Sequence, residues 1–70
     1  MKIKVNGEEL FYENSMNVSD LLTERKVKMP EMVSVEVNKK IIRRNDFEDT
    51  GVKDGDEIEF LYFMGGGSWN

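Results

Sequence analysis

Lys2-Ile3-Lys4-Val5 alternates polar and apolar side chains, the period of a strand with one buried face. Asn6-Gly7 follows, and both residues tolerate the positive φ that a type I′ hairpin turn demands. Alternation resumes from Glu8 to Glu13, with Leu10 and Tyr12 on one side, so the chain opens on a hairpin. Asn17 then stands where a helix needs a cap, and Asp20 places an acid in the first turn, where the helix dipole favours one. Val18, Leu21 and Leu22 recur at spacings of three and four and predict a short helix, with Arg25, Lys26 and Lys28 near its C-terminal end. Pro30 disfavours helical geometry at Met29 and closes that helix before it. From Met32 to Asn38 the two-residue period returns, with Val33, Val35 and Val37 inward and Ser34 and Glu36 outward. Asn38-Lys39-Lys40 predicts a turn into a brief strand at Ile41 and Ile42. The stretch from Arg43 to Val52 has no clear period, although Phe47 is expected to plug the core. Asp54-Gly55-Asp56 reads as a turn and Glu57 to Phe63 as the last strand, its Ile58, Phe60 and Tyr62 facing the core.

The element order is therefore hairpin, helix, strand, short strand, strand. One sheet with one helix across one face buries this apolar set and leaves the other face wet. The economical arrangement places the first and last strands side by side, in parallel, at the sheet centre. That is an α+β fold of the β-grasp, or ubiquitin-like, type: a mixed sheet of four to five strands with one helix packed on it. Residues 1–63 are expected to form this domain and residues 64–70 a flexible glycine-rich tail. There is no internal repeat, linker or second domain.

Composition changes the picture mainly by subtraction. The 70 residues are 39% hydrophobic and 34% charged, which fits one small globular domain and supplies no membrane span. A chain of this size buries about 60% of its unfolded surface, a thin core without room for a catalytic cleft. The formal net charge of −4 argues against nucleic acid or an anionic membrane as the main partner. The sequence contains neither Cys nor His. Disulfides, a thiolate nucleophile, a zinc knuckle and the usual neutral-pH base are all excluded. With no staple and no charged, apolar leader before the first strand, a cytoplasmic location is expected.

The informative segment is Met64-Gly65-Gly66-Gly67-Ser68-Trp69-Asn70. Consecutive glycines pack no side chain and are costly to order, so a frayed end or linker is the bland account. Their place directly after the last strand of a β-grasp domain is instead the arrangement of ubiquitin-like carriers. The chain resembles the sulfur carrier proteins of the ThiS type, which serve thiamine biosynthesis, and more distantly the small subunit of molybdopterin synthase. The stretches that carry the likeness are Lys2 to Gly7, Asn17-Val18-Ser19-Asp20-Leu21-Leu22, Val35-Glu36-Val37-Asn38 with Ile41-Ile42, Asp54-Gly55-Asp56, and Tyr62-Phe63-Met64-Gly65-Gly66-Gly67.

The resemblance implies a protein cosubstrate and not an enzyme. A ThiF/MoeB-like adenylating enzyme would use ATP to activate the terminal glycine, which becomes a thiocarboxylate and passes its sulfur to thiazole synthase or another acceptor enzyme. The carrier itself binds no cofactor. A tail without Cβ atoms threads a narrow channel with its backbone unhindered, and the partners supply the catalytic groups. Two departures stand out. The chain continues past the glycines through Ser68-Trp69-Asn70, and Arg43-Arg44 stands where the family commonly has Pro before Arg. A glycine carbonyl held in an amide offers no carboxylate to adenylate. Either a protease, such as the metalloproteases that trim some carriers of this fold, removes the three residues, or they are foreign to the natural chain. In the register adopted here Gly66 and Gly67 are the functional pair, Gly67 carries the sulfur and Gly65 supplies tail flexibility. Rival roles remain: a carrier for homocysteine or molybdopterin formation, a protein modifier, or an interaction module with an inert tail.

Phe11, Leu61 and Phe63 have the parity opposite to the core residues of their strands, and are expected on the open sheet face near the tail as a docking surface. Lys39, Lys40, Arg43 and Arg44 make a basic cluster that reads as a solvated turn. Asp46, Glu48, Asp49, Asp54, Asp56 and Glu57 lack the spacing of a calcium loop, and the scattered Met residues read as gap-fillers. No metal site is expected.

Overall fold

The computed structural model describes residues 1–62 and builds them around two tight hairpins. Strand β1 (Lys2–Val5) turns through Asn6-Gly7 into β2 (Glu8–Phe11). Both turn residues have positive φ, 52° and 85°, as a type I′ turn requires. The second hairpin repeats the device: β4 (Val33–Val37) returns as β5 (Lys40–Ile42) through Asn38 and Lys39, at φ 52° and 71°. The last strand, β7 (Glu57–Tyr62), lies between the hairpins, parallel to β1 and antiparallel to β4. The five-stranded sheet runs β2-β1-β7-β4-β5, with the first and last strands adjacent at its centre, which is the β-grasp.

Helix α1 (Val18–Glu24) crosses one face of the sheet. Asn17 and Asp20 form a reciprocal capping box: the Asn17 side chain accepts from the Asp20 amide at 2.7 Å, and the Asp20 carboxylate accepts from the Asn17 amide at 3.1 Å. Val18, Leu21 and Leu22 are buried against Ile3, Val5, Val35, Ile58 and Phe60. The expected cations fall outside the helix. Arg25 is its C-cap, Lys26 takes a left-handed φ of 61°, and the last turn holds no basic residue.

The segment without a period proves to be a brace for the helix start. After a 3-10 turn at Arg44–Asp46, Phe47 enters the core as expected. The chain then forms β6 (Gly51–Val52), which pairs with β3 (Met16–Asn17) in a two-stranded sheet that the periodicity does not reveal. The first helical amides would otherwise lack partners. Here Val18 donates to the Thr50 carbonyl at 3.0 Å and Ser19 to that of Phe47 at 3.3 Å, while the Asn17 side chain donates to Glu48.

One core expectation is corrected. Tyr62 was placed inward by parity, yet it is 51% exposed. It faces the helix side beside Val33, at the far end of β7. Its partner Val33 is buried on that same face, so β7 leaves the core at its last described residue while β4 is still within it. Among the described residues no helix is long and apolar enough to cross a membrane.

Candidate functional site: the open sheet face where the tail leaves

The chain passes into the tail from β7, and β7 is held on both sides. Asn38, already in its turn, accepts from the Glu57 amide at 3.0 Å and donates to the Asp56 carboxylate at 2.9 Å. Asp56, the one buried charged residue among those described, also accepts from the Lys53 amide at 2.8 Å. Asn6 continues the β1 ladder past its last residue: its amide donates to the Ile58 carbonyl and its side chain accepts from the Phe60 amide at 2.8 Å. The two asparagines thus clasp β7 from opposite neighbours. Asp54 accepts from the Lys2 amide at 2.7 Å, so part of the acidic run serves turn geometry in addition to solubility.

The face opposite the helix follows from the register. Glu59 lies opposite Glu36 and Leu61 opposite Ser34, across β7 and β4. Ile41 lies opposite Glu36 across β4 and β5. On the other side Lys4 pairs with Glu57, and Phe11 stands on edge strand β2 opposite Lys2. Leu61 is 41% exposed, Ile41 59% and Phe11 72%. Leu61 and Phe11 therefore both lie on the open face, but the fold does not bring them together. By register Phe11 sits level with the turn before β7, roughly 20 Å along the strands from Leu61. Ile41 is the exposed apolar residue of the open face nearer the tail end, level with Glu59, and exposed Tyr62 ends β7 on the opposite face. Three residues of β5 define no period, so parity alone had no means to orient Ile41. Phe63, Gly65, Gly66 and Gly67, the other expected site residues, lie outside the described residues.

Charge is uneven on this face. The ion pairs among the described residues are Lys2–Glu9 at 3.8 Å, on this face, and Arg25–Glu8 at 3.3 Å, which ties the helix end to β2 on the other. Glu36 and Glu59 face each other without a cation, although Arg43 follows on the β5 edge beyond Ile42. The basic cluster divides: Lys39 and Lys40 stay at the turn, whereas the Arg44 guanidinium donates to the Glu31 carbonyl at the other end of β5. Among the described residues no three acids converge as a metal site would require. A shallow cavity of about 260 Å³ lies by the turn before β7, lined by Lys2, Lys4, Glu9, Gly55 and Asp56 among others, away from the tail.

This arrangement presents a strand end and a partly apolar surface beside it, with the tail following residue 62. Comparison with known proteins fits that picture. The profile of the ThiS family matches residues 2–67. The crystal structure of the thiamine biosynthesis protein ThiS from Geobacter metallireducens is 48% identical, covers 96% of this chain and 100% of that one, and superposes with a TM-score of 0.85. A solution structure of a thiamine biosynthesis protein from the same organism is 46% identical with a TM-score of 0.79, covering 100% of this chain and 92% of that one. A thiazole synthase from Paramagnetospirillum magneticum is 41% identical over 68 residues, 97% of this chain. The chain spans 21% of that relative's length.

Proposed function

The chain belongs to the ThiS family, and from that premise we propose that it is a sulfur carrier for thiamine biosynthesis whose reacting group is the carboxyl of Gly67. The observation that carries the reading is the extent of the family match: it runs through the whole β-grasp domain and closes at Gly67. The two Geobacter metallireducens structures support the pathway, and the thiazole synthase relative supports thiazole synthase as the enzyme that receives the sulfur.

In this reading the domain is a handle. A carboxylate oxygen of Gly67 attacks the α-phosphorus of ATP on an adenylating enzyme, and pyrophosphate leaves. Hydrosulfide then attacks the acyl carbon, a C–S bond replaces the C–O bond to AMP, AMP leaves, and the product is a thiocarboxylate. Gly65 and Gly66 let the reacting carbonyl enter a narrow channel, because no Cβ widens the backbone there. Attack requires a free carboxylate, so Ser68, Trp69 and Asn70 must be absent at the moment of activation.

The test is direct. A chain ending at Gly67, incubated with ATP, a ThiF-type adenylating enzyme and a sulfur donor, is expected to gain the mass of an oxygen-to-sulfur exchange, and the 70-residue chain is not. Gly67→Val in the shortened chain is expected to abolish the gain by crowding the reacting carbonyl. Equal conversion of the full-length chain at Asn70 would refute the Gly67 assignment.

A further inference from the structure

Two steps of the chain put an asparagine or aspartate directly before glycine, Asn6-Gly7 and Asp54-Gly55. At such a step the glycine nitrogen can attack the preceding side-chain carbonyl and close a five-membered ring, because no Cβ shields it. The fold treats the two steps differently. At Asp54-Gly55 the attacking nitrogen is occupied: the Gly55 amide donates to the Lys2 carbonyl at 2.7 Å, and the Asp54 carboxylate accepts from the Lys2 amide at 2.7 Å. At Asn6-Gly7 the Gly7 amide has no acceptor among the described residues. Both residues are exposed, and a Cβ built on Gly7 would meet open space. Only the side chain is held, by the 2.8 Å bond that the Phe60 amide donates to the Asn6 Oδ1. Ring closure needs that side chain to leave β7 and turn back onto its own backbone. Asn38 makes the equivalent clasp at the other hairpin, but the residue after it is Lys39, whose Cβ crowds the nitrogen.

We propose that Asn6 is a latent deamidation site, closed while its side chain holds the Phe60 amide and open whenever that clasp lets go. A base removes the Gly7 amide proton, and the nitrogen bonds to the Asn6 side-chain carbon. The bond from that carbon to the amide nitrogen breaks, and ammonia leaves. Water then opens the succinimide. Cleavage at the former side-chain carbon gives aspartate. Cleavage at the former backbone carbon gives isoaspartate, in which the chain runs through the side-chain carbons. Water and a base are the only co-reactants, and no oxidant or reductant takes part. The two products differ in what they do to β7. Aspartate keeps the backbone length and keeps an oxygen for the Phe60 amide. Isoaspartate inserts a carbon into a two-residue turn closed by the Val5–Glu8 pair. It also takes the acceptor away from Phe60, whose amide lies past the last residue of β1. The reaction needs no partner protein, so the inference stands apart from the carrier reading.

The test incubates the 70-residue chain in warm, mildly alkaline buffer, folded and in urea. Peptide mass mapping locates each conversion, and an isoaspartate-specific methyltransferase reports that product. Asn6 is expected to convert before any other asparagine and before Asp54 isomerises, about tenfold more slowly in the folded chain than in urea. The isoaspartate form, separated by ion exchange, is expected to melt at least about 5 °C below the parent, whereas Asn6→Asp stays within about 2 °C of it. Earlier conversion at Asn14 or Asp54 would overturn the site. Equal rates folded and in urea would overturn the gating by the clasp. An isoaspartate form that melts with the parent, or an Asn6→Asp chain that falls as far, would overturn the link to β7.

Discussion

Asn6 and Asn38 each perform two tasks with one side chain. Asparagine tolerates the left-handed φ at the first position of a type I′ turn, and its amide is short enough to reach a neighbouring backbone. Both residues use that reach on β7, Asn6 at the Phe60 amide and Asn38 at the Glu57 amide. The turns differ at their second position, where Gly7 is at φ 85° and Lys39 at φ 71°. A residue with a Cβ is strained there and glycine is not. Lys39→Gly is therefore expected to stabilise the domain by about 0.5–1 kcal/mol, a rise of roughly 2–8 °C in the thermal midpoint. A lower midpoint in a calorimetric scan would show that the Lys39 side chain makes a compensating contact. At this scale the sequence was informative for turns, because Asn-Gly has one dominant use. It was silent on the clasps, because hydrogen bonds spanning 54 positions leave no local trace.

Most elements that periodicity revealed bury one face over at least four residues, namely β1, the helix, β4 and β7, whereas β2 was found by alternation next to a hairpin turn. The two-residue strands β3 and β6 bury too little to establish a period, and their role is to hold the helix start in place of solvent. Tyr62 followed the parity of its strand and missed the core, because parity assigns a face and does not say where along the strand the core ends. Phe47 was legible as an aromatic residue amid polar neighbours. It is 7% exposed and anchors the segment whose carbonyls receive the Asn17, Val18 and Ser19 donors. Phe47→Ala is expected to cost about 3–4 kcal/mol and to lower the thermal midpoint by well over 10 °C. Amide exchange is the informative readout. Val18 and Ser19 are expected to lose protection beyond the global change, because their acceptors lose their anchor; uniform loss would argue that the segment does not brace the helix.

At the scale of the whole molecule, the last member of the buried core among the described residues is Phe60, and the tail beyond residue 64 offers Trp69 as its one large apolar side chain. Deleting residues 65–70 is therefore expected to leave the thermal midpoint within a degree or two while abolishing thiocarboxylate formation. A large fall in the midpoint would show that the tail packs on the domain and would undercut its role as a free arm. The glycine run was read from composition and position, and it lies outside the described residues. The surface beside it was legible only in part, because strand parity assigns a face and not a level along it; Phe11 and Leu61 share the first and differ in the second. The central place of β7 has a consequence for synthesis. Its partners β1 and β4 are made long before it, and both present unpaired edges until it arrives. On the ribosome the sheet cannot close until Tyr62 has left the exit tunnel, so a nascent chain stalled before Glu57 exposes two hairpins and an uncovered helix. A chain that ends before Glu57 is therefore expected to be cleared by quality-control proteases, since it keeps the two hairpins without the strand that joins them.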